Sequence, residues 1–167
     1  GPPAIELAEG VRPVSLADCV AAEETCNALD DDCDTIVDED CGLARGALEV
    51  TLAWTGAADL DLYVTDPSGA TLSTLSPVSP SGGMLDHGGQ GDCDRREPLN
   101  RLEHAVWLSG RPVAGRYVIE VLHWGTCGGA GDTEATLAVS FGGHALGVYQ
   151  VTLAPRRERA VARIVVP

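Results

Sequence analysis

The chain has 167 residues, enough to bury one substantial core, and its 25 acidic against 11 basic residues give a formal net charge of −14. It contains no lysine, so a phosphate backbone finds little to hold and nucleic acid is excluded as a partner. No apolar run is long enough to span a bilayer, and six cysteines, an even number, point to disulfides formed in an oxidising, extracytoplasmic compartment.

Residues 1–18 read as an N-terminal tail. Its Gly1-Pro2 opening looks like a tag-cleavage scar, so targeting elements are expected to have been removed; no secretory signal or lipidation motif is visible. Twelve acids against Arg12 and Arg45 fall within the first 46 residues, which sets this stretch apart from the rest.

From Cys19 to Cys41, four cysteines and a dense run of aspartates share a segment with almost no apolar residues. Such a segment cannot build a core of its own and is expected to need a metal to fold. Asp30, Asp32, Asp34 and Asp38 fall at positions one, three, five and nine of an EF-hand-type calcium loop, and Ile36 falls at position seven, where a backbone carbonyl is the ligand. Alternate spacing turns every second side-chain oxygen toward a hard cation, which takes six to eight oxygens at about 2.3–2.6 Å.

Two departures shape the reading. Position six, normally Gly, is Thr35, and position twelve, normally a bidentate Glu, is Cys41, which leaves Glu39 and Asp40 as the acids able to substitute. A static structural calcium site is predicted, not a switch. Zinc is disfavoured, because the four cysteines are separated by six, six and seven residues, with no C-x-x-C pair and no nearby His. The plain alternative is a solvated acidic run. Three pairings of Cys19, Cys26, Cys33 and Cys41 are open.

The string CNALDDDCDTIVDEDC closely resembles the MopE-type metal-binding motif, commonly CNGxDDDCDGxxDE, of secreted and surface proteins of myxobacteria and related Gram-negative bacteria. Across residues 19–41, Asn27, Asp30, Asp32, Asp34 and Asp38 match its polar positions, whereas Ala28 and Thr35 stand where it usually has Gly. The resemblance implies an extracytoplasmic module and no reaction. The expected metal set is therefore Asn27, Asp30, Asp32, Asp34, Ile36, Asp38 and Glu39, holding one Ca²⁺.

From Ala47 onward apolar residues recur with period two. Leu48, Val50, Leu52 and Trp54 alternate with Glu49, Thr51 and Ala53, and Leu60, Leu62 and Val64 alternate with Asp59, Asp61 and Tyr63. Asp66-Pro67-Ser68-Gly69 is a type I or II turn leading into a strand over 70–76. A long Gly- and Pro-rich loop follows, and then strands at 101–108, 116–124, 134–141, 145–153 and 159–166, bounded by Gly, Pro and Asp clusters. About eight strands without helical periodicity predict a mainly β domain over 47–167, an antiparallel β-sandwich or jelly roll. With one Phe and one Met, its core must come from Val, Leu, Ile and Ala, helped by Trp and Tyr. Near the end, Arg156, Arg157, Arg159 and Arg163 against Glu158 read as a solvated edge that deters strand pairing, with a binding patch as the alternative.

This part is similar, through Trp54, the stretch Asp59 to Gly69 and the stretch Val113 to Val118, to YfaP-like and bacterial pre-peptidase C-terminal β-sandwich domains over most of residues 47–153. The resemblance implies an accessory, noncatalytic domain of an exported protein. Cys93 and Cys127, which are expected to bridge each other, fall outside the general pattern.

The 76–98 loop is longer than ordinary connections and holds Asp86, Asp92 and Asp94. Asp59 and Asp61, two apart on one strand, project to one face, so a second calcium held by Asp59, Asp61, Asp86, Asp92, Asp94 and Glu103 is chemically reasonable. Solvated acids are the alternative. His87, His104, His123 and His144 are scattered, and His104 and His123 read as ordinary strand residues. No nucleophile elbow, H-E-x-x-H or phosphate-cradling loop is present, so catalysis is not expected.

The expected function is a noncatalytic, calcium-stabilised module of a secreted or cell-surface protein, acting as a structural or protein-interaction domain beside other domains of a larger parent. The alternative is carbohydrate binding, or service as an accessory C-terminal domain of an exported hydrolase. Partners are then another protein or a surface polysaccharide. Trp54 reads as core, Trp107 as ambiguous, and Trp124, at a strand end beside Cys127, as the exposed platform for a sugar ring.

Overall fold

A computed structural model describes residues 1–88, 93, 99–108, 110 and 112–167. Alternating strands must share a layer that hides one face of each, and the described residues satisfy this with eleven strands. These are β1 (Ala4–Leu7), β2 (Arg12–Val14), β3 (Leu48–Trp54), β4 (Asp59–Thr65), β5 (Thr71–Leu72), β6 (Gly83–His87), β7 (Leu102–Trp107), β8 (Gly115–Gly125), β9 (Thr133–Phe141), β10 (His144–Leu153) and β11 (Glu158–Val166). They form a five-stranded sheet in the order β1-β11-β8-β4-β5 and a six-stranded sheet in the order β2-β10-β9-β3-β7-β6. Every named strand pairing is antiparallel, and the two sheets make the expected sandwich.

The main core lies between the sheets and has the expected composition. Leu48, Val50, Leu52 and Trp54 of β3 meet Leu60, Leu62 and Val64 of β4, Ile119 and Val121 of β8, Leu137 and Val139 of β9, and Ile164 of β11. Trp107, left ambiguous by the sequence, is core: its ring packs edge-on to Tyr117 at 5.2 Å, and its Nε1 donates to Ser81 Oγ at 3.0 Å. Gly83 sits opposite it because a Cβ there would lie 2.6 Å from the indole ring.

Three strands lie outside the predicted set. Residues 1–18, read as a tail, supply β1 and β2, which add to opposite sheets: Ala4 pairs with Val165 and Val14 with Val148. Both are short edge strands, and β2 carries Pro13, tolerated at an edge because no neighbour needs its missing N–H. β6 lies inside the predicted 76–98 loop and pairs with β7, Gly83 to Trp107 and His87 to His104.

A second apolar cluster covers the outer face of the six-stranded sheet. Ala28 and Val37 of the Cys/Asp segment pack on Ala53, Leu102, Ala138 and Val148, with Cys26, Leu29 and Leu43 at the margin. The segment therefore takes its apolar support from the sandwich, and β3 is buried along its whole length, on both faces. No helix among the described residues is long and apolar enough to cross a membrane.

Candidate metal centre

Two disulfides, Cys19–Cys33 and Cys26–Cys41, fold the segment into overlapping loops, and Cys93–Cys127 forms the third bridge, as expected of the two cysteines remote from the segment. With no free cysteine, the donors available to a cation here are oxygens, which removes a thiolate zinc site. Left-handed backbone occurs at Ala28 (φ 65°), Cys33 (φ 66°), Thr35 (φ 75°), Asp38 (φ 56°) and Asp40 (φ 63°). Ala28 and Thr35 thus adopt the conformation for which Gly is favoured. Thr35 is β-branched and strained there, and docking holds it: its carbonyl accepts the Ala145 amide at 2.8 Å, and its hydroxyl lies 2.7 Å from His144 Nδ1.

Short aspartate side chains fold back onto nearby amides, and this turns the loop inward. Asp30 accepts the amides of Asp34 at 3.0 Å and Thr35 at 2.8 Å, while Asp34 Oδ1 accepts that of Ile36 at 2.8 Å. The result is two carboxylate groups, Glu24 with Asp30 and Asp32, and Asp32 with Asp34 and Glu39, the ligand atoms of each lying within 4.8 Å of one another. Asp32 belongs to both.

Four of the expected residues, Asp30, Asp32, Asp34 and Glu39, fall in these two groups. Asp38 and Asn27 lie in neither group. The Asp38 carboxylate is fully buried and accepts the amides of Asn27 at 3.0 Å and Ala28 at 2.9 Å, closing the loop from within. Burial, opposed by those amides, still pushes its pKa up to about 6. Asn27 bonds to the Leu29 amide and to Asp31.

Glu24 is the residue that sequence reasoning missed. It precedes the loop, and its carboxylate accepts the amides of Asp31 at 2.9 Å, Asp32 at 3.1 Å and Asp38 at 3.0 Å. No spacing rule for the loop reaches so far upstream; the only signal is one more acid two residues before Cys26.

The charge balance of this cluster fits a bound cation. Glu39 Oε2 is buried without a hydrogen-bond partner. Burial, together with the neighbouring Glu24, Asp32 and Asp34 carboxylates, pushes Glu39 up to about 7. Converging carboxylates repel unless a positive charge sits among them. Glu24, Asp30, Asp32, Asp34 and Glu39 supply the hard oxygen donors that calcium takes.

The second expected set is dispersed. Asp92 and Asp94 lie outside the described residues. Asp86 sits on the outer face of the six-stranded sheet, bonded to His104 Nδ1 at 2.6 Å and the Ala44 amide at 2.8 Å. Glu103, the neighbour of His104 on β7, points to the opposite face by the two-residue period and accepts the Leu62 amide at 2.6 Å. Glu103 lines a cleft with Asp59, Asp61 and Trp124, and Asp86 is not part of that lining. Of the histidines, His87 Nε2 lies 2.8 Å from Leu99 O and His123 Nε2 lies 3.2 Å from Thr133 Oγ1. His104, read as an ordinary strand residue, is bound on both ring nitrogens.

No family model matches the chain, and searches of curated proteins and of solved structures give no match.

Proposed function

We propose that this chain is a noncatalytic module of an exported protein, whose Cys/Asp segment binds one Ca²⁺ and locks onto a β-sandwich that serves as a structural or protein-interaction domain. The observation that carries the reading is Glu39: a half-buried side chain whose Oε2 is buried with no hydrogen-bond partner, grouped with Asp32 and Asp34 and raised to about 7. Oxygen-only donors favour calcium over zinc, and the resemblance to MopE-type motifs supports the same ion. Three disulfides support an oxidising compartment, outside the cytoplasm.

Calcium here is a clamp. Ala28 and Val37 attach one side of the segment to the six-stranded sheet, and the ion gathers the carboxylates on the other. Thermal unfolding in EDTA, in Ca²⁺ and in Mg²⁺ tests this reading. Melting should drop in EDTA and be restored by Ca²⁺ but not by Mg²⁺, which demands a tighter octahedral shell. An unchanged melt in all three, together with no calcium by elemental analysis, rejects the reading.

A further inference from the structure

We propose that a cleft beside β4, lined from both sheets, binds a neutral glycan, with Trp124 as its stacking platform. On β4, Asp61 and Tyr63 alternate with the core residues Leu60, Leu62 and Val64 and so face outward; on β8, Trp124 follows the buried His123 and faces the same way. With Asp59, Thr74, Leu75 and Glu103 these residues line a cleft of about 440 Å³, within the size range of small-ligand sites. Trp124 is 46% exposed, whereas Trp54 and Trp107 are buried.

The chemistry of the lining selects the ligand. An indole face left open to water offers flat apolar area to the C–H face of a sugar ring, while carboxylates and hydroxyls beside it accept and donate hydrogen bonds to ring hydroxyls. Glu103 is held in place by the Leu62 amide, and Asp59, Asp61 and Glu103 each have further interactions within the protein. Glu103, so held, offers directed hydrogen-bond acceptance of the kind a sugar hydroxyl takes. Burial and the nearby acids Asp61, Glu158 and Glu103 raise the Tyr63 pKa, so its phenol stays protonated and able to donate. The same negative field, on a chain of net charge −14, rejects anionic polysaccharides.

The cleft shares no lining residue with the carboxylate cluster on the Cys/Asp segment, so this proposal and the calcium reading can fail separately. The full chain, kept in Ca²⁺, is run through native gels containing hydroxyethylcellulose, mannan, galactan or xylan, and titrated with the same polymers by tryptophan fluorescence. With Trp54 and Trp107 buried, a spectral shift reports on Trp124. Retardation by at least one polymer is expected, weakened at least about tenfold in Trp124→Ala and largely retained in Trp124→Tyr. Should Trp124→Ala melt below the wild type, Tyr63→Phe decides, with an expected loss of about threefold in affinity and unchanged melting. Failure of the wild type to bind any of the four polymers overturns the proposal. So does equal binding by the variants, or retention on immobilised polylysine in place of the glycans.

Discussion

His104 Nδ1 lies 2.6 Å from Asp86 Oδ1, with the imidazole wholly buried. The other ring nitrogen lies 3.0 Å from Glu49 Oε1, which also takes Arg45 at 3.1 Å, and Asp86 accepts the Ala44 amide. This chain joins residues 44–45, which follow the Cys/Asp segment, to three strands of the six-stranded sheet. Removing one partner of a buried pair leaves the rest unpaired and costs about 3–5 kcal/mol. His104→Ala should therefore lower stability in urea by that order. A loss below about 1 kcal/mol would show that the network is not holding the segment.

The same network gives a pH signature. Burial alone would lower His104 and raise Asp86, but their mutual hydrogen bond and charges, with Glu49 acting on the histidine, outweigh it: His104 is raised above 6.5 and Asp86 lowered below 3.8. A raised histidine contributes stability that is full below its unfolded pKa and lost as pH climbs through the folded one. A lowered aspartate contributes stability that is present above its unfolded pKa and lost as pH falls through the folded one. Both contributions are full between about pH 4 and 6.5. Urea midpoints across pH 3–9 should show His104→Gln losing the decline on the alkaline side of that window. An identical pH profile in the variant would reject the assignment.

Asp32 and Asp38 should separate cation binding from loop closure. Asp32 belongs to both carboxylate groups, so Asp32→Asn should abolish most of the melting increment that Ca²⁺ restores after EDTA. Asp38 is committed to the Asn27 and Ala28 amides, so Asp38→Ala should cost about 1–3 kcal/mol with or without the ion, through buried amides left unsatisfied. Differential scanning in EDTA and in Ca²⁺ reads both. A full calcium increment in Asp32→Asn would contradict the first half.

Val37 tests the second apolar cluster. It is 2% exposed between the segment and the six-stranded sheet, and Val37→Ala should cost about 1–2 kcal/mol through lost burial and an incompletely filled gap. Val37→Asp should do more, releasing the segment to limited proteolysis while β3 to β11 keep their strand signal in circular dichroism. Equal protease resistance in both variants would mean the segment is held elsewhere.

The two-residue period carried most of the fold. Leu48 to Trp54 and Leu60 to Val64 are long enough for the alternation to be unmistakable, and their inward residues are the core. β1, β2 and β6 have three to five residues each, too few for a pattern, and take their strand geometry from the neighbours they pair with. At the carboxylate cluster, the alternate aspartates were legible because the chain itself wraps the site. Glu24 was not, because it precedes the loop and reaches the Asp31, Asp32 and Asp38 amides only when the chain has folded back on itself. The histidine network was hidden for a related reason: Glu49, Asp86 and His104 lie far apart in the chain and meet only when β3, β6 and β7 align.

The two bridges of the segment interlock, since Cys26 lies inside the loop closed by Cys19–Cys33 and Cys33 lies inside the loop closed by Cys26–Cys41. The stretch common to both loops, 26–33, contains Asp30 and Asp32. Most of the chain entropy of ordering these ligands is thus given up when the thiols oxidise and not when an ion arrives. On the proposed calcium reading, sulfur chemistry would come first and mineral capture second. A reduced chain would be a poor competitor for calcium even where calcium is plentiful.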